Sequence, residues 1–297
     1  MLVSNRVPLS YVFDRVKVDV LRVVFFSLLF QVIKYFINGW LPEVPMQFPA
    51  LLGTSIALLL AFNINQSYER WWEARKIWGA IVNDSRTLIL QLACFVSHAD
   101  PSLRRFAHRQ IGWCYALGAS LRGHAPLDEA QKELLSADDL AFASSQTNVP
   151  LGLLMRHQLE LAALHQAGQL NDFQQIQLDS TLVRLCESMG RAERIKNTVF
   201  PVTYRLFLHL FIYLFLLVLS LALVGALGLY EVPVLVLVAS TFFLVERTAL
   251  YMQDPFEGRP TDTAMTAIAR AIEINLRQLT GETEVPPPLE PQGFFLM

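Results

Sequence analysis

Four stretches of the chain are apolar for long enough to cross a bilayer, which takes about 20 residues at 1.5 Å of helical rise each, and they fall in two pairs. Val20 to Trp40 comes first, with Arg22 and Lys34 inside it; their long stems would let the charges snorkel toward opposite surfaces. Val44 to Tyr68 and Leu206 to Tyr230 hold no Asp, Glu, Lys or Arg, whereas the stretch from Val232 meets Glu246 and Arg247 within 14 residues. The turns inside each pair, NGWLPEVP at 38–45 and GLYEVP at 228–233, are short, rich in Pro or Gly, and free of Lys and Arg.

Basic residues lie on the other side of every span. Arg6, Arg15 and Lys17 precede the first, Arg70, Arg75 and Lys76 follow the second, Arg191, Arg194 and Lys196 precede the third, and Arg259 follows the fourth. The positive-inside rule then predicts cytoplasmic termini and a cytoplasmic middle, with two small turns outside. The opening residues hold no uninterrupted apolar core and no small-residue cleavage site, so no cleaved signal peptide is expected.

Residues 66–200 carry apolar positions at helical spacing without β-branched alternation, so an all-α middle is expected. Breaks at 98–102, 123–128, 144–150 and 167–172 divide it into about five helices, with Asp128 a plausible cap and the last running from near Asp172 to Lys196. Beyond the fourth span, residues 260–282 predict an amphipathic helix capped by Thr261 or Asp262 and stopped near Gly281. The expected organisation is thus 1–66 for the N-terminal segment and first two spans, 66–200 for the cytoplasmic domain, 201–253 for the last two spans, 254–285 for a C-terminal helix and 286–297 for a Pro-rich tail. No turn signal interrupts FNINQSYERWWEARKIWGAIVNDSR, 62–86, so the second span should continue into the cytoplasmic body as one helix.

Composition agrees with a membrane protein: 53% of residues are apolar and 17% charged, against roughly 25% charged in soluble domains. A net charge of -2 excludes the basic footprint of a nucleic-acid binder. No phosphate loop, dinucleotide fingerprint, nucleophile elbow or zinc-protease motif occurs, and His157 and His165 stand about 12 Å apart by helical rise, too far to share one ion. No enzyme, no cofactor and no metal site is expected. Cys94, Cys114 and Cys186 read as three buried thiols, and His209, an ionisable group inside a span, is the exception among scattered histidines.

In the second span Gly53, Ala57 and Ala61 form a small-xxx-small stripe suited to close helix packing. Thr54, Leu58 and Phe62 form a second stripe one position further round; turned toward an axis in several copies, they would make rings that gate a pore by dewetting. Packing or lipid contact alone would satisfy the same spacing.

The run SYERWWEARKIWGAIVNDSR after LAFNIN, the stretch around RIKNTVFPVTY and DPFEGRPTDTAMTAIARAIEINLRQL together resemble the prokaryotic branch of the bestrophin ion channels over residues 1 to about 283. The resemblance implies an all-α integral membrane homopentamer, four transmembrane helices per subunit, around one central pore in a bacterial inner membrane. It implies a neck at Thr54, Leu58 and Phe62 and a cytoplasmic constriction near Phe173, with Ile176 one turn on as the alternative. DPFEGRPTD holds Glu257 and Asp262 but lacks the acidic run of calcium-gated animal members, so no calcium clasp is expected. The prokaryotic branch implies conduction of cations such as Na⁺, and Glu43 and Glu231 in the outer turns would make an acidic mouth, with Lys34 close enough to offset it. The alternatives are an anion channel of the same fold and a non-conducting membrane-anchored scaffold whose helical middle binds a partner.

Overall fold

The computed structural model describes residues 8–37, 44–97, 100–198, 201–223, 227–291 and 293–296. The chain divides into two compact units, one of residues 5–70 with 199–253 and the other of residues 1–4, 71–198 and 254–297. Helix α2, Gln47–Phe95, is unbroken over 49 residues and contributes to both. No Pro or paired Gly lies in its interior after Pro49, so nothing removes an i→i−4 hydrogen bond.

The first unit consists of α1 (Leu9–Ile37), α2 as far as Arg70, α8 (Val202–Ala222), a 3₁₀ turn at Gly228–Tyr230 and α9 (Glu231–Gln253). Four helices among the described residues are long and apolar enough to span a membrane. Helix α9 packs against both α1 and α8, and Val23, Ile56, Leu60, Ile212, Phe215, Leu235 and Phe243 form the core between these helices. Outside that core the apolar residues face outward: Phe25, Leu206, Leu210 and Leu237 are all exposed. Water would penalise so much bare apolar surface by about 25 cal/mol per Å², so the outward faces are built for lipid or for other subunits.

The buried charges inside these spans are paired. Arg247 donates to Asp19 Oδ2 through Nη2 at 2.8 Å, and Arg22 Nη1 reaches Asp19 Oδ1 at 3.3 Å. Glu246, the other charge that made the fourth span short in the sequence, lies 3.0 Å from His209 Nδ1, which donates to it. His209 is the ionisable span residue singled out above, and its ring also packs 5.1 Å from that of Phe243.

The second unit takes α2 from Trp71 onward together with α3 (Pro101–Leu121), α4 (Glu129–Lys132), α5 (Ala137–Ser144), α6 (Val149–Gln166), α7 (Asp172–Asn197) and α10 (Met265–Leu279). Its helix starts follow local chemistry. Asp128 and Asn171 each form a capping box with Gln131 and Gln174, so the side chains satisfy orphan N–H groups at both ends of the exchange. Helix α10 departs from expectation. It starts at Met265 without a side-chain cap, because Asp262 Oδ2 instead accepts from the Arg259 amide in the preceding turn. At its far end Gly281 adopts φ +75°, and the amides of Gly281 and Glu282 bond back to Gln278 and Arg277, closing the last turn as the sequence indicated.

Trp78, Phe106, Trp113 and Phe256 are fully buried in this unit. At Gly152 a Cβ would stand 3.2 Å from the Ala143 Cα, so α5 and α6 approach backbone to backbone there. Of the three cysteines only Cys114 is buried, with its thiol pushed up to about 12 by burial; Cys94 and Cys186 are exposed, contrary to the expectation of three buried thiols, Cys186 at the rim of a cleft lined by Phe142, Leu151 and Met155.

A buried polar cluster fixes α3 against α5 and α6. Arg109 reaches Asp139 at 3.0 Å and Glu160 at 2.7 Å, and Arg156 donates to Asp139 at 2.8 Å. Burial would raise the Asp139 carboxyl, but the Arg156 hydrogen bond and the Arg109 charge outweigh it and hold it low. Burial, with the Arg109 charge added, pushes His157 well below its usual 6.5, so the ring is neutral and its Nδ1 faces Arg109 Nη1 at 3.4 Å.

Below pH 6.5 the unfolded chain binds a proton on His157 that the folded chain refuses. Stability should therefore fall by up to about 1.4 kcal/mol per pH unit as pH drops below that point. Thermal unfolding of the purified protein at pH 7, 6 and 5 measures this, and His157→Gln should flatten the dependence; an unchanged slope would show that the proton binds elsewhere.

Candidate functional site

The residues of α2 that pack into the membrane unit are Ile56, Leu60, Asn63 and Ser67, all buried. Gln253 of α9 donates to both Asn63 Oδ1, at 3.1 Å, and Ser67 Oγ, at 3.2 Å, while the Ser67 hydroxyl donates to the Asn63 carbonyl. This buried polar lock supplies partners for side chains that lipid could not satisfy. At 100° per residue its face is centred about 170° from the stripe of Thr54, Leu58 and Phe62.

That stripe is accordingly exposed. Leu58 keeps 58% and Phe62 56% of their surface; Thr54 is also exposed and donates its hydroxyl to the Ala50 carbonyl one turn back. The three residues present two large apolar groups and one self-satisfied hydroxyl. Gly53 is half-buried, and a Cβ there would stand 3.2 Å from Phe215 Cε2 of α8. Ala57 and Ala61, by contrast, are exposed, so within the subunit the small-residue stripe packs at one position only. The main packing face lies further round because Asn63 and Ser67 require polar partners, a signal present in the sequence as polar residues recurring at i, i+4.

Phe173 and Ile176 sit in the first turns of α7, three apart on one face, and are 85% and 65% exposed. In the turn before α10, Glu257 pairs with Lys196, whose hydrogen bond holds the carboxyl low, and Asp262 is buried, its carboxyl raised by burial. Among the described residues no group of His, Cys, Asp and Glu is arranged to hold a metal ion.

Glu43 lies outside the described residues. Glu231 is buried at the start of α9, with Lys34 Nζ 2.7 Å from Oε1 and 2.9 Å from Oε2. Lys34 also donates to the Ser220 carbonyl and hydroxyl, Ser220 donates to Glu231, and Gln31 reaches Oε2 at 2.8 Å. Lys34 therefore does not snorkel, because a buried acceptor set 197 residues away satisfies it inside the bundle. Glu231 is consumed in the same step and offers no free carboxylate.

These features define a class: a helical membrane protein whose second span presents an unpartnered, largely apolar face. Residues 5–278 match the sequence family described as Bacterial/Fungal Bestrophin protein, and the chain belongs to the bestrophin family, whose members are channels and not enzymes. The chain is 31% identical over 273 residues to the voltage-dependent anion channel-forming protein YneE of Escherichia coli, covering 91% of this chain and 89% of the relative. It is 29% identical to a voltage-dependent anion channel-forming protein of Nostoc, covering 80% of each. The crystal structure of a bacterial bestrophin homolog from Klebsiella pneumoniae superposes with a TM-score of 0.83 at 29% identity, covering 89% of this chain and 98% of that one.

Removing one member of a buried ion pair costs about 3–5 kcal/mol because the other is stranded. Lys34→Met should therefore lower thermal stability markedly, and Lys34→Met with Glu231→Gln should recover part of the loss. Unfolding in detergent measures both; strictly additive losses would contradict the coupling.

Proposed function

We propose that the chain forms a passive channel for small monovalent ions, built from five copies arranged so that the exposed face of α2 turns toward a common axis. The observation that carries this reading is the exposure of Leu58 and Phe62 on the α2 face opposite its packed one, within a segment apolar enough to span a bilayer. Rings of these side chains would expel water and hold the pore shut or poorly conducting, with Thr54 the wettest level. Ala57 and Ala61 would let neighbouring copies of α2 approach closely. Phe173 and Ile176, both bare in the subunit, are candidates for a second ring at the cytoplasmic end.

The setting we assign is a bacterial inner membrane, with both termini and residues 66–200 on the cytoplasmic side, the last two spans at 201–253, a C-terminal helix within 254–285 and the Pro-rich tail beyond. For the conducted charge, the names of the relatives favour anions. The cation reading comes from the resemblance to the prokaryotic branch, and the acidic mouth that supported it loses the Glu231 contribution, because Glu231 is paired with Lys34. Chloride is thus the first ion to test.

Purified protein should run in detergent at the mass of five subunits, and liposomes containing it should pass current that reverses near the chloride potential in a NaCl gradient. Reversal near the sodium potential would assign cations instead; a monomer without current would sink the channel reading. Each 1.4 kcal/mol removed from the barrier raises flux about tenfold, so Leu58→Ala with Phe62→Ala should raise the open fraction at least that much. Unchanged flux in a folded double variant would remove the gate from this neck.

A further inference from the structure

The membrane unit contains a groove to which α2, the helix proposed to line the pore, contributes no residue. Helix α9 packs against both α1 and α8, and above it these two leave a cavity of about 570 Å³ between them, within the range of about 300–1,000 Å³ typical of ligand clefts. Its body is apolar, formed by Val23, Phe26 and Phe30 of α1, Leu216 and Leu217 of α8 and Leu235 of α9. From His209 to Ser220 it runs about 16 Å along α8.

The two ends differ in charge. At one end stands Arg22, with 55% of its side chain exposed and its Asp19 partner also held by Arg247 at 2.8 Å. His209 lines the same end. Asp19 therefore serves two guanidinium groups, and the cation it neutralises less closely, at 3.3 Å, is the one at the groove mouth. At the other end Ser220 belongs to the satisfied Lys34–Glu231 cluster, which leaves neither charge free. The groove has one polar mouth, where Arg22 is the exposed charge, and a long apolar body.

We propose that this groove holds one anionic phospholipid of the surrounding bilayer, its phosphate at Arg22 and one acyl chain lying between α1 and α8 toward Ser220. Three features point to a lipid. The flanking residues Phe25, Leu29, Leu206 and Leu210 are exposed, so the groove opens onto apolar surface suited to the bilayer. The half-exposed Arg22 guanidinium, which shares Asp19 with Arg247 and also bonds Tyr213, has further N–H groups to offer a phosphate in bidentate geometry. Basic clefts between spans commonly take anionic headgroups. The proposal does not rest on the channel reading, so either can fail without the other.

The test uses the purified full-length protein in nanodiscs of phosphatidylcholine alone and of phosphatidylcholine with phosphatidylglycerol, with retained lipid counted by native mass spectrometry and stability followed by thermal unfolding. The wild type should retain about one phosphatidylglycerol per subunit and unfold at higher temperature when that lipid is present. Arg22→Gln should lose the preference for phosphatidylglycerol about tenfold while Arg22→Lys keeps most of it, and Leu217→Trp, which fills the body of the groove, should lose retained lipid of either kind. Equal retention of both lipids by the wild type, no retained lipid because a second copy covers the groove, or retention unaltered in Arg22→Gln and Leu217→Trp would each overturn the proposal. A variant that unfolds is recognised by its melting curve, and the Arg22→Lys and Arg22→Gln pair then carries the decision.

Discussion

Charge burial constrains the membrane unit more than apolar packing does. An isolated charge in a low-dielectric interior is prohibitively costly, yet Asp19, Lys34, Glu231 and Glu246 all lie buried among its helices. Each is tolerated because a partner from another helix is within bonding distance: α1 meets α9 at Asp19 and Arg247, α1 meets α8 and α9 at Lys34, Ser220 and Glu231, and α8 meets α9 at His209 and Glu246. Apolar packing between lipid-facing helices has little hydrophobic driving force, because lipid is as apolar as leucine. Polar pairs at specific levels therefore set which helices neighbour which, and in what register.

Helix α2 is held differently. It contributes no ionised group to these pairs, and its fixed points are the Asn63 and Ser67 bonds to Gln253 together with Ile56 and Leu60 in the core. A helix locked on one polar face leaves the opposite face undetermined by the subunit. Here that face carries Leu58 and Phe62, exposed to a degree that only lipid or neighbouring copies would compensate. One lock thus explains both why α2 sits in one rotation and why its apolar stripe is the side left over.

Much of this was legible in the sequence, for local reasons. The four spans, the breaks near 128 and 171 and the stop at Gly281 follow from runs, caps and turn residues that act over a few positions. What was not legible depended on partners far apart in the chain. Lys34 looked like a snorkelling charge because Glu231 is 197 residues away, and Glu246 and Arg247 shortened the apparent fourth span because nothing local announces His209 or Asp19. Gly53, Ala57 and Ala61 share one stripe, yet within the subunit only Gly53 packs, against Phe215; spacing alone does not say which of two adjacent stripes meets the core. The polar pair Asn63 and Ser67 carried that information, since in a span a side chain needing a partner decides rotation more firmly than an absent side chain.

The same accounting bears on ion choice. A neck of Thr, Leu and Phe raises the cost of dehydration for an ion of either sign, since the desolvation penalty depends on the square of the charge. Such a neck resists conduction without discriminating. In a channel with such a neck selectivity would come from fixed charges elsewhere along the path, and at the start of α9 the pairing of Glu231 with Lys34 leaves no net charge from those two groups. A carboxylate counted from sequence contributes to a mouth potential only while its neighbourhood leaves it unpaired, which is why Glu231, held by Lys34, drops out of the acidic-mouth argument for cations.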